Sequence, residues 1–219
     1  MRVLIVNCKN YPEVQGEGAT RLATAVRRVA ARGIDAIIAP PTPTLGLVVK
    51  SGAKVFSQDV KGVTGDKTTG AVIPEAVMAV GAAGTILNHS ESRKTPGELA
   101  KLVPRVEELG LEVCLCARTS GEAARLARLG PRYIAVEPPE LIGTGVAISR
   151  AKPELIVKTV RAVRRTGYEG MILCGAGIVT GQDVKIAVRL GTDGVLVSSS
   201  VVKAQDWESK LKELAGSLK

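Results

Sequence analysis

The sequence predicts an α/β fold in which eight parallel strands close into a (β/α)8 barrel inside a ring of helices. Three observations predict it. Short runs of Val, Ile, Leu and Ala recur eight times along the 219 residues. The runs are near-continuously apolar, as strands buried on both faces are. Amphipathic stretches of helical period lie between them and can supply the crossovers. Eight units in 219 residues leave about 27 residues each, a normal size for such a barrel. An open doubly wound sheet is the competing architecture, but no Gly-x-Gly-x-x-Gly follows the first run. No linker or low-complexity tract divides the chain, and 45% hydrophobic content suffices for a full core, so residues 1–219 are read as one domain.

Taken in order, strands are expected at 3–6, 36–39, 54–56, 84–87, 113–116, 133–136, 171–174 and 194–197. Helices are expected at 20–31, 120–129, 153–165, 182–190 and 207–218. Thr95-Pro96-Gly97-Glu98 has the spacing of a capping box with proline at the first helical position, and Leu99, Leu102, Val103 and Val106 then make an apolar face. Pro104 falls inside that helix. Losing one backbone bond there costs about 3 kcal/mol, so a kink or a break is expected. Segment 59–74 has little helical character and carries Gly62, Gly65, Gly70 and the polar run Asp66-Lys67-Thr68-Thr69. Loops this long are usually functional or disordered.

Composition narrows the function classes. The opening residues lack the apolar core and cleavage site of a signal peptide, and the most apolar stretch, 76–87, is too short to span a bilayer. A soluble, cytoplasmic protein is expected. Cys8, Cys114, Cys116 and Cys174 all lie in predicted strands, without Cys-x-x-Cys spacing and with one histidine in the chain, which argues against a zinc site or a disulfide framework. The formal charge of +9 is spread over many segments, with local pairs such as Arg27-Arg28 and Arg164-Arg165. Aromatic side chains that could stack on bases are scarce, so attraction of small anionic substrates explains the charge at least as well as nucleic acid does. Abundant Arg with few Asn and Gln points to a heat-adapted source.

In such a barrel the reactive groups collect at the C-terminal ends of the strands. The first strand ends in Asn7-Cys8-Lys9, the fourth in Asn88-His89-Ser90-Glu91, the sixth in Glu137, the seventh in Gly175-Ala176-Gly177 and the eighth in Ser198-Ser199-Ser200. Glu137 closes an apolar run and precedes a proline-bounded, glycine-closed stretch, 138–145; placement alone leaves a rim salt bridge and a catalytic base both open. His89 follows a strand and precedes a helix start, where the partial positive charge of the helix terminus favours a neutral imidazole able to donate to a carbonyl oxygen. Lys9 is either a rim ion pair or a fixed positive charge for a developing oxyanion, with Glu91 within reach as its partner. Backbone N–H groups at Gly177, Ser198 and Ser199 converge on the usual phosphate position of these barrels, aided by a short helix beginning in the last serines.

These residues carry a resemblance. Asn7-x-Lys9, His89-Ser90-Glu91-x-Arg93, Ala135-x-Glu137-Pro138, Ile142-Gly143-Thr144-Gly145 and the glycine or serine pairs after strands seven and eight occur in one order along the chain, and the set resembles the triosephosphate isomerase family, in its short archaeal form. The resemblance implies interconversion of dihydroxyacetone phosphate and glyceraldehyde 3-phosphate without a cofactor or metal. It implies that Glu137 moves a proton between two carbons, that neutral His89 acts on the oxygens, and that Lys9, placed by Asn7, stabilises the enediolate. These roles belong to triosephosphate isomerase itself and are inherited here through the resemblance. Ile142 and Gly143, in a lid, and Gly177, Ser198 and Ser199 hold the phosphate on the same grounds, and lid closure excludes water. Glu91, Ser90 and Thr69 act around that set. The long third loop, with Thr69-Gly70 at its tip, is expected to reach a neighbouring subunit of a homo-oligomer, a tetramer in the short form.

Several positions depart from bacterial and eukaryotic relatives. Val136 stands for tyrosine, Pro139-Glu140 for a valine–tryptophan pair, Asn88 for glycine and Ser198-Ser199 for two glycines. Asn88, like glycine, tolerates left-handed backbone. Two rival readings remain: a phosphate-binding barrel acting on larger indole or ribosyl substrates, as in tryptophan biosynthesis, and a basic barrel that binds nucleic acid or a protein partner.

Overall fold

The computed structural model of the chain describes residues 2–31, 33–62, 68–138 and 152–219. Its centre is a closed barrel of eight parallel strands in sequence order. The strands are β1 (Arg2–Asn7), β2 (Ile34–Ala39), β3 (Lys54–Ser57), β4 (Gly84–Leu87), β5 (Glu112–Ala117), β6 (Tyr133–Val136), β7 (Met171–Cys174) and β8 (Gly194–Val197). Pairing of Val3 with Gly194 and of Val6 with Val197 closes the ring. Every expected strand is present, extended by up to two residues at its ends. Cys8, placed in a strand by the sequence reading, lies just past β1; all four cysteines are free and buried.

The near-continuous apolar runs have a simple cause. Side chains alternate across a strand, and here both faces are covered. Val3, Ile5, Ile37, Phe56, Ile86, Tyr133 and Leu173 point into the barrel, while Leu4, Val6, Ile38, Leu115, Ile134 and Val195 belong to the layer under the helices. The inner core holds two rings, Phe56 and Tyr133, with centroids 6.0 Å apart and planes at 60°. Gly84 makes room for them, because a Cβ there would meet the Phe56 ring.

The helices are α1 (Glu17–Ala30), α2 (Leu45–Val49), α3 (Pro74–Ala79), α4 (Pro96–Glu108), α5 (Ser120–Ala127), α6 (Pro153–Arg164), α7 (Gly181–Arg189), α8 (Ser199–Val202) and α9 (Trp207–Gly216). The short α2 and α3 carry too few turns to show a helical period in sequence. The expected capping box is formed: Glu98 N–H donates to Thr95 Oγ1 at 3.2 Å and Thr95 N–H donates to Glu98 Oε2 at 2.7 Å. The expected break at Pro104 is absent, and α4 continues through it. Pro104 and Ala100, the residue whose carbonyl loses its partner, both lie on the exposed side, where water can take over that bond. The base of the 59–74 loop is tied down by Lys61 N–H on the Val72 carbonyl and by Lys94 Nζ on Asp59 Oδ1 at 2.7 Å. Residues 63–67 of that loop lie outside the described residues.

The N-terminal mouth of the barrel is closed by a polar cluster. Lys54 Nζ lies 3.1 Å from Asp35 Oδ1, 2.7 Å from Glu112 Oε2 and 3.0 Å from the Tyr133 hydroxyl. That hydroxyl is within 2.6 Å of Asp35 Oδ2 and 2.8 Å of Glu112 Oε2. Burial, followed by its bonds to the two acids, pushes the Tyr133 phenol far above its ordinary range, so it stays protonated as a donor. Lys54→Met leaves two carboxylates facing each other without a cation. We expect a loss of about 2 kcal/mol in urea unfolding, less than for a fully buried pair because Lys54 and Glu112 are partly exposed. Adding Asp35→Asn should recover part of that loss, and no recovery would refute the account.

Candidate active site

The C-terminal ends of the strands meet over one pocket. Asn7 ends β1 and Lys9 follows it, His89 follows β4, Glu137 follows β6, Gly175 and Gly177 follow β7, and Ser198 and Ser199 follow β8; all of them line it. Tyr11 lines it too, with Lys203 Nζ 4.8 Å from the centre of its ring.

Glu137 is 3% exposed, and its N–H is held by the Ala117 carbonyl at 2.8 Å. Burial raises its pKa above the ordinary carboxylate value; His89, the Cys116 thiol and Lys9 pull it back only in part. Its Oε2 has no hydrogen-bond partner among the described residues. Gly175 leaves the carboxyl its space, since a Cβ there would come within 2.5 Å of Glu137 Cγ. Cys116, which sequence reasoning passed over, is a neutral thiol beside this acid. Its pKa is held well above the usual range by a bond to Cys114 and by burial. Its position as an inward-facing residue near the end of β5 was the available signal.

His89 Nε2 lies 3.7 Å from Glu137 Oε1, and the ring is buried. Nδ1 accepts the Glu91 N–H at 3.2 Å, so the proton of a neutral ring sits on Nε2, facing the pocket. The helix start expected directly after His89 is not there. The next helix, α4, begins only at Pro96, and a turn closed by Ser92 N–H on the His89 carbonyl at 2.9 Å presents the N–H instead. Asn88 adopts φ 63°, as its identity allowed. Its amide donates to the Cys116 carbonyl at 2.9 Å and accepts from Lys94 N–H at 3.1 Å.

Lys9 has φ 46°, a left-handed backbone that long side chains rarely adopt. Its N–H donates to Asn7 Oδ1 at 3.0 Å, and its Nζ pairs with Glu91 Oε1 at 3.0 Å. On the far side of the pocket Gly177 has φ 68°, and Ser198 precedes the first turn of α8. Ser198 Oγ and Ser200 Oγ, both in the lining, have no partner among the described residues. Ser90 is partly exposed in the His89 turn, and Thr69 is exposed; neither lines the pocket. Ile142 and Gly143 lie in 139–151, outside the described residues. Among the described residues no cluster of three or more His, Cys, Asp or Glu side chains could hold a metal ion, and no helix is long and apolar enough to cross a membrane.

A (β/α)8 barrel with a buried acid, a buried imidazole and an ion-paired ammonium around one pocket defines an enzyme of acid–base chemistry next to a carbonyl. A family model described as triosephosphate isomerase matches residues 2–214. Proteins named triosephosphate isomerase are similar along nearly the whole chain. That of Caldivirga maquilingensis is 44% identical over 215 residues, covering 97% of this chain and 96% of its own. That of Cenarchaeum symbiosum is 45% identical over 217 residues, with 97% and 96% covered. That of Methanocaldococcus jannaschii is 38% identical over 214 residues, with 97% and 98% covered. The chain belongs to the triosephosphate isomerase family.

The raised pKa of Glu137 also bears on stability. A carboxyl whose folded pKa lies above its unfolded value favours folding while protonated, and that advantage is lost as pH rises through the folded pKa. Glu137→Gln should therefore be more stable than the parent at pH 7 in chemical denaturation. The gain should vanish below the ordinary carboxylate range, and a less stable Glu137→Gln at pH 7 would count against this account.

Proposed function

We propose that the chain interconverts dihydroxyacetone phosphate and D-glyceraldehyde 3-phosphate through an enediolate, the reaction of the family to which it belongs. The observation that carries this reading is the unpaired Oε2 of buried Glu137, in one pocket with the Nε2 of His89 and the ammonium of Lys9. Glu137 takes a proton from the carbon beside the carbonyl. Electron density moves to the carbonyl oxygen, where the His89 Nε2–H donates and Lys9 balances the charge. Proton exchange between the two oxygens through His89, and return of the Glu137 proton to the neighbouring carbon, complete the isomerisation with no net gain or loss of atoms. Protonated Glu137 is well suited to that pause, because burial already favours its neutral form.

The phosphate is held by backbone N–H groups at Gly177, Ser198 and Ser199, with the free hydroxyls of Ser198 and Ser200 beside them and with Ile142 and Gly143 supplied by a lid. Asn7 orients Lys9, and Glu91 fixes the ammonium. No cofactor or metal takes part. The chain acts as one domain in the cytoplasm, in glycolysis and gluconeogenesis, as a homotetramer whose Thr69 loops approach the Lys9 of a second copy. Its net charge of +9 draws in the dianionic substrate without calling for nucleic acid.

A coupled spectrophotometric assay with dihydroxyacetone phosphate tests the reading. We expect rapid turnover by the parent and a drop of roughly 10³-fold in kcat for Glu137→Gln, with little change in KM. Unchanged kcat in that variant would remove Glu137 as the base.

A further inference from the structure

Lys9 and Asn88 are the only non-glycine residues with positive φ among those described. For Lys9 the left-handed backbone brings Cβ against a carbonyl oxygen, so the conformation persists only where the surroundings impose it. Its N–H is held by Asn7 at 3.0 Å. Its carbonyl is held as well: Gln58 Nε2 donates to the Lys9 oxygen at 2.8 Å and to the Ala39 oxygen at 3.1 Å. Both partners are acceptors, so the amide nitrogen of Gln58, not its oxygen, must face them. The Ala39 carbonyl also accepts the Cys8 N–H at 2.9 Å. One amide thus ties the end of β1 to the end of β2 at the point where the chain turns into Lys9.

Gln58 itself sits one residue beyond β3, partly buried, and does not line the pocket. It does not reach substrate. Were its amide lost, the Lys9 carbonyl would be free to rotate and the residue could relax to an ordinary backbone region. That rotation would redirect the Cα–Cβ bond and carry the ammonium away from Glu91. We propose that Gln58 is a positioning residue for the isomerisation, acting through Lys9 by clamping its left-handed backbone. The inference rests on the isomerase reading and on the place of Lys9 within it.

A double-mutant cycle on kcat/KM tests it. Gln58→Met keeps the side-chain length and removes the donor. With Lys9 present it should lower kcat/KM by roughly a hundredfold, the scale of a reacting group displaced by about 1 Å. In a Lys9→Ala background, assayed at high enzyme concentration, the same change should alter kcat/KM by less than about twofold, since nothing remains to be positioned. Equal losses in the two backgrounds, or full activity of Gln58→Met with Lys9 present, overturn the proposal. Should Gln58→Met not fold, Gln58→Glu places an acceptor where the donor was and carries the same cycle. A parent enzyme without isomerase activity is a different failure: it removes the reaction itself, and the role of Gln58 falls with it.

Discussion

A carboxylate buried with one oxygen unpaired costs folding free energy, and Glu137 is kept in that state by everything around it. The strand end fixes its backbone through Ala117, and Gly175 leaves it room. His89 and Lys9 lie close enough to oppose its neutralisation without abolishing the effect of burial. In the proposed reaction, a base that is already easy to protonate can hold a proton between two carbons and release it again. The same burial that weakens the fold therefore tunes the chemistry.

Strain and compensation recur at the other two reactive groups. Lys9 and the residue preceding His89 are the non-glycine left-handed positions among the described residues, and both lie where the chain leaves a strand end for the pocket. Each is over-determined by side-chain amides. Asn7 and Gln58 grip Lys9, while Asn88 holds itself by its own amide to Cys116 and Lys94. A strand running straight on would carry these residues out of the ring, and a tight left-handed step turns them over the pocket. The cost of the step is met by hydrogen bonds to neighbouring strand ends, which only a closed sheet brings near.

Much of this was legible in the sequence. The eight strands were readable because their two-sided burial makes them uniformly apolar, and the strand-end rule then picked out Asn7, Lys9, His89, Glu137, Gly177, Ser198 and Ser199, which the structure gathers in one pocket. The same rule applied to β3 points to Gln58 and Asp59, which no family motif drew attention to. Cys116 and Tyr11 were not legible, since an inward-facing thiol and a ring at the rim look like ordinary core and surface until the partner strands are in place. Pro104 does not break its helix for a local reason: its cost was judged for a helix interior, but Pro104 and Ala100 are exposed. The helix start expected right after His89 is a turn instead, because a turn and a helix start both present backbone N–H groups, and sequence does not tell which comes first.

The two mouths of the barrel divide the electrostatics between them. At the N-terminal mouth Lys54, Asp35, Glu112 and Tyr133 satisfy one another within about 3 Å. At the C-terminal mouth Glu137 Oε2, Ser198 Oγ and Ser200 Oγ, in the lining of one pocket, have no partner among the described residues. Buried polar atoms without partners are destabilising wherever they occur, so their gathering at the mouth that also carries Lys9 and His89 is better explained by a ligand than by folding. On the proposed isomerase reading, a phosphorylated triose brings an anion for the serine end and a carbonyl for the Glu137 end. On that reading the substrate, and not the chain alone, completes the hydrogen bonding of this mouth.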